Sequence, residues 1–72
     1  MAQRNVGGIV MAWLAVDSDN KEYIHQNRPI RVWLGGMMGW DSGSYSIVQL
    51  PQGTIKELIG RELTWEDEPV KL

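Results

Sequence analysis

Seventy-two residues with a net charge of −2 and no cysteine set narrow limits. One domain is the most this length allows, and a chain so short buries only about 60% of its unfolded surface, with no disulfide to help it. Missing thiols exclude zinc fingers and thiol chemistry, and the acidic balance lacks the positive field on which phosphate recognition depends. Four Trp and 43% hydrophobic residues argue against disorder and for a dense small core, in which Trp and Tyr must carry all the aromatic bulk because Phe is absent.

The leader "MAQRNVGG" (1–8) has polar residues, a Gly pair and no periodicity, so it is expected to be flexible. The run "VGGIVMAWLAV" (6–16) is eleven residues long, too short for a membrane-spanning helix, which needs about 20. No A-x-A cleavage site follows it, so a cytoplasmic protein is the expectation. Within that run, Ile9 to Val16 is β-branched and aromatic and stops at "DSDNK", which predicts a strand ended by a turn. Ile9, Met11, Trp13 and Ala15 form one face and Val10, Ala12, Leu14 and Val16 the other, and both are apolar. Such a strand sits between layers or packs against another copy, so a homo-oligomer through Ile9–Val16 is expected.

"EYIHQ" (22–26) reads as the hairpin partner of that strand. "IRVWLGG" (30–36) alternates, with Ile30, Val32 and Leu34 inward and Arg31 and Trp33 outward. "GGMMGWDSGS" (35–44) holds four Gly and two Ser in ten residues, which predicts a mobile loop. "YSIVQL" (45–50) is a further strand, stopped by Pro51.

In "GTIKELIG" (53–60), Thr54 and Glu57 have the spacing of a capping box, and Ile55, Leu58 and Ile59 share a helical face. Gly60 suits the left-handed residue that ends a helix. At one to two turns this helix needs all three apolar residues to dock it. "ELTW" (62–65) then alternates as a strand, with Leu63 and Trp65 on one face, and "VKL" forms a terminal edge segment. The order predicts a mainly β domain over 9–72 with one short helix. Its architecture is a small, strongly bent antiparallel sheet or an SH3-like barrel, or alternatively a helix packed on one face of a sheet.

Chemical signatures are sparse. Asp17, Asp19 and Lys21 have the spacing of the first calcium-loop ligands, but the later positions carry the wrong residues and an Asx-rich hairpin turn explains them. His25 is the only histidine, so no serine triad or histidine-rich metal site can be built, and it reads as an ordinary strand residue. Ser42, Ser44 and Ser46 lack a nucleophile elbow and read as loop residues facing solvent. Glu66, Asp67 and Glu68 sit in a Pro-flanked turn too wet for general-acid work. No enzyme activity, metal or cofactor is expected.

The residue types that anchor interfaces gather at Arg28, Arg31, Trp33, Met37, Met38 and Trp40. The same group could stack bases and contact phosphates, which makes a small nucleic-acid-binding barrel the alternative. A plainer reading, favoured by the apolar needs of a small domain, puts Trp33 and Trp40 in the core and pairs the arginines with Glu62, Glu66 and Glu68.

"MAWLAVDSDNKEYIH" leading to "RPIRV", with "LPQGTIKELIGRELTWEDEPVKL" later, resembles a group of small proteins of gut anaerobic bacteria and their prophages. The likeness covers residues 11–72 and is densest over 50–72, which would make residues 1–10 an extension. That family has no assigned activity, so the resemblance implies a short free-standing protein and supplies no site residue. The expectation is a non-enzymatic protein-interaction module.

Overall fold

The computed structural model describes residues 12–43 and 46–72, apart from the side chain of Leu34. The expected leader, the Ile9–Met11 part of the first strand, Ser44 at the end of the expected loop, the Tyr45 start of "YSIVQL" and the inward placement of Leu34 lie outside these residues. In chain order the elements are β1 (Trp13–Val16), β2 (Glu22–His25), β3 (Ile30–Leu34), β4 (Met37–Asp41), β5 (Ile47–Leu50), α1 (Thr54–Ile59) and β6 (Val70–Lys71). The strands form a four-stranded antiparallel sheet ordered β5-β2-β1-β6 and a separate β3-β4 ribbon. Among the described residues the chain is therefore mainly β with one short helix, and these small sheets do not close into the barrel that the sequence allowed.

The β1–β2 hairpin turns through "DSDN". The Asn20 N–H donates to the Asp17 carbonyl at 2.8 Å, Asn20 takes a left-handed φ of 70°, and the Lys21 N–H donates to Asp19 Oδ1 at 3.1 Å. Here the aspartates serve the turn, because their short carboxylates reach neighbouring backbone groups.

Strand parity divides the main sheet into two apolar faces. Leu14 and Val16 point to a core shared with Ile55 and Leu63, with Ile24, Leu50, Ile59 and Val70 packed around it. Burial of Ile55 alone contributes about 2 kcal/mol relative to exposure. Trp13, Ala15 and His25 occupy the other face, where Ser42, just after β4, approaches His25. β1 is flanked by β2 on one side and, at Trp13 and Leu14, by β6 on the other. Leu14, Ala15 and Val16 are all buried within one chain. The apolar faces of Trp13–Val16, expected to meet a second copy, are thus covered largely from within.

Between β3 and β4 the structure corrects the expected loop over 35–44. Gly35 and Gly36 have φ of 56° and 83° and form a two-residue turn. Positive φ at both positions gives a turn whose twist matches its strands, and glycine adopts it without a Cβ penalty. Gly39 is not a loop residue either: a Cβ there would stand 3.3 Å from the Asp17 carboxylate. Composition alone hid a strand whose glycines serve the turn and the packing.

The helix of α1 forms where expected, and Gly60 ends it with φ 79° and a 2.8 Å bond to the Lys56 carbonyl. Its start differs from the capping box. Gly53 is the N-cap, and the Thr54 hydroxyl donates to the Pro51 carbonyl at 2.6 Å. The Glu22 carboxylate of β2 takes the helix N–H groups instead, at 2.7 Å from Gly53 and 2.8 Å from Ile55. Leu58, expected to dock, is 53% exposed.

No strand forms over 62–65. Residues 64–67 make a tight turn in which the Thr64 N–H donates to Asp67 Oδ2 at 2.8 Å and the Asp67 N–H to the Thr64 carbonyl at 3.0 Å. That turn separates Leu63, in the core, from Trp65, which meets Trp40. The terminal edge segment pairs as expected, with Val70 opposite Leu14.

Candidate functional site

The two-residue turn fixes the ribbon register: Arg31 stands opposite Trp40, Val32 opposite Gly39, and Trp33 opposite Met38. Alternation then places Arg31, Trp33, Met38 and Trp40 on one ribbon face. The face is divided along its length. Trp40 is 8% exposed and its Nε1–H donates to the Val16 carbonyl at 2.9 Å, whereas Trp33 near the turn is 67% exposed. Trp40 lies on a strand instead of the expected loop and belongs to the interior, as the plainer sequence reading had it, because it closes the side of β1 that β6 does not reach.

Arg31 is also drawn into the structure. Its guanidinium lies 4.8 Å from the Trp40 ring and 5.0 Å from that of Trp65, whose planes meet edge to face at 5.5 Å. The Arg31 Nη2 group donates to the Trp65 carbonyl at 2.9 Å. Arg28 stands 5.4 Å from the Trp13 ring. Both arginines face Glu68, at 3.7 Å from Arg28 and 3.9 Å from Arg31, while Lys56 rather than an arginine meets Glu62. These ion pairs are exposed and contribute little, so Arg31 acts mainly through its stacked plane and carbonyl contact. Arg31→Lys is expected to cost about 1 kcal/mol, because an ammonium lacks the plane that fills the gap between two indoles. A lower urea midpoint with a weakened near-UV signal from the tryptophans would show it.

The six candidates therefore separate. Arg28, Arg31 and Trp40 form a clasp with Trp13, Trp65 and Glu68. Trp33 and Met37 stand exposed, Met37 at 53%, and Met38 is half-buried. Ile30, expected inward, is 65% exposed at the ribbon base. An open cleft of about 390 Å³ lies between Arg28, Ile30, Arg31, Trp40 and Glu68, and a second hollow of about 250 Å³ runs beside Val32, Met37 and Met38. The exposed apolar surface lies on both sides of the ribbon, and the charged groups lie at its base.

Asp17 joins the ribbon to the first hairpin. Its Oδ1 accepts the Trp40 N–H at 3.2 Å, and the neighbouring Ser18 hydroxyl donates to the Met38 carbonyl. Burial pushes the Asp17 carboxyl above its usual range; the Trp40 N–H opposes this and Asp19 adds to it. Among the described residues, no three His, Cys, Asp or Glu side chains gather as a metal-ligand set. No helix there is long and apolar enough to cross a membrane.

Sequence reasoning missed the roles of Trp13, Trp65 and Asp17 in holding this region. It also took His25 and Ser42 as ordinary and solvent-facing. His25 is 1% exposed, and its Nδ1 lies 3.3 Å from Ser42 Oγ. A lone His flanked by apolar strand residues carries no signal that separates these outcomes. Comparison of the chain with protein families, with curated proteins and with solved structures finds no match in any of the three.

Proposed function

We propose that this chain is a small cytoplasmic protein-interaction module, of the kind found in gut anaerobes and their prophages, that presents the far end of the β3–β4 ribbon to a protein partner. One observation carries the proposal: Trp33 stands 67% exposed beside the two-residue turn, with Met37 also open to solvent. Tryptophan contributes more binding energy per residue than most side chains, and a domain short of core material gains stability by burying it. A Trp held outward by cross-strand pairing is therefore better explained by contact with another molecule than by folding. The non-enzymatic character rests on the sequence, with one His and no Cys.

A protein partner is favoured over nucleic acid because the Arg31 guanidinium is already stacked and hydrogen-bonded within the chain. The same exposed ribbon surface offers copies of the chain a second place to associate besides Ile9–Val16. Trp33→Ala is expected to leave stability within about 0.5 kcal/mol, as exposed substitutions do, yet to weaken partner capture at least about tenfold. Affinity capture from native lysate, with light scattering for self-association, measures both. Leu58→Ala, exposed on the helix, is the control. Equal capture by both variants, or none by the parent chain, removes the proposal.

A further inference from the structure

His25 is the last residue of β2, and it is more completely enclosed than any other polar or charged side chain that the structure describes. Its Nδ1 faces Ser42 Oγ at 3.3 Å, and its Nε2 is buried with no hydrogen-bond partner among the described residues. The ring therefore fills the junction at which the end of β4 meets the main sheet. Around it, β1 supplies Trp13 and β5 supplies Ile47 in the paired register, and neither can take a proton. β4 supplies Asp41, whose Oδ1 accepts the Gly43 N–H at 3.0 Å. Tyr23, on the same strand, has its ring 6.3 Å away. Two cations adjoin the neighbouring Trp13: Lys71, paired with it in β6, and Arg28, over its ring.

We infer that His25 is an acid-sensitive latch: neutral imidazole closes the junction between β2 and the end of β4, and imidazolium opens it. A second proton would leave both ring nitrogens as donors, with Nε2–H⁺ facing no acceptor. Burying such a charge unpaired costs more than the junction's few polar contacts return, so the segment must move aside to admit water. Among the described residues, Asp41 is the carboxylate whose charge opposes this, and its Oδ1 already accepts from Gly43.

The direction of the pH response follows. Burial holds the His25 value below its ordinary 6.5, and the pull of Asp41 in the other direction is smaller. The open state then takes up the proton first. Junction stability is complete above about pH 6.5 and falls as the pH drops from there toward the lowered folded value.

Amide exchange in the free protein, corrected for its intrinsic pH dependence, reads this apart from any partner. Opening at Gln26, Asp41 and Gly43 is expected to rise by up to about tenfold for each pH unit below about 6.5, while Leu14 and Val16 stay protected. His25→Leu and His25→Gln, which cannot take up the proton, should abolish the rise. Should neither variant fold, the imidazole carbon and nitrogen shifts of the parent chain give the second measurement: titration below 6.5, together with local opening, supports the latch. Titration at the ordinary value with unchanged junction amides overturns it. So does simultaneous loss of protection at Leu14 and Val16, or a pH response that persists in folded variants.

Discussion

Replacing Trp40 with alanine is expected to leave most molecules unfolded at room temperature. The side chain is 8% exposed, its Nε1–H holds the Val16 carbonyl, and its ring supports both Arg31 and Trp65. Truncating a buried Trp costs about 3–5 kcal/mol, and a core of this size supplies about the same amount in total. The loss propagates because Arg31 would keep one indole wall instead of two, and the Trp65 turn would lose its packing. Trp40→Phe separates the contributions. It retains an aromatic ring but leaves the Val16 carbonyl without its donor, at about 1–3 kcal/mol. Urea denaturation followed by far-UV circular dichroism checks both. An unchanged midpoint for the alanine variant would remove Trp40 from the core and favour its alternative role as a surface anchor.

The second large effect is expected at Glu22, outside the helix it supports. Six residues cannot sustain a helix in water, and Gly53 offers no capping side chain. The two oxygens of Glu22 accept the N–H groups of Gly53 and Ile55, and the negative charge also suits the positive end of the helix dipole. Glu22→Ala should cost about 2 kcal/mol and free α1 from the sheet, taking Ile55 out of the core with it. Glu22→Gln, which keeps one acceptor without the charge, should lose about half as much. Thr54→Val should cost less, about 0.5 kcal/mol, because its hydroxyl bonds the Pro51 carbonyl and caps nothing. Urea midpoints in the reverse order, with Thr54 the most sensitive, would restore the capping box that the spacing of Thr54 and Glu57 implies.

Local chemistry made part of this fold legible. The hairpin through "DSDN", the helix over 54–59, its Gly60 stop and the edge pairing of Val70 all follow from turn preferences, periodicity and termini. The ribbon was legible too, had Gly35 and Gly36 been taken as a two-residue turn. That turn fixes which residues face each other, and so places Arg31 opposite Trp40 and Trp33 opposite Met38. Counting glycines over a ten-residue window hid it, since composition does not distinguish a glycine that bends the chain from one that admits a neighbour. "ELTW" misled for the opposite reason. Its alternation is real, but the Thr64–Asp67 turn sends Leu63 and Trp65 to different partners.

By itself the sequence determined the class of molecule: a mainly β chain without thiols, with one His and four Trp, in which apolar packing must supply the stability. Only the tertiary structure decided which tryptophan would be structural and which would stand free. Trp33 and Trp40 share a ribbon face, so strand alternation does not separate them. Their fates differ because β6 stops short along β1, leaving room beside Val16 that one indole can fill, and the ribbon carries the other beyond the sheet. His25 and Glu22 teach the same lesson within one strand. Proximity across the sheet, which strand periodicity does not encode, turned an ordinary histidine into a sealed junction and an ordinary glutamate into a helix cap.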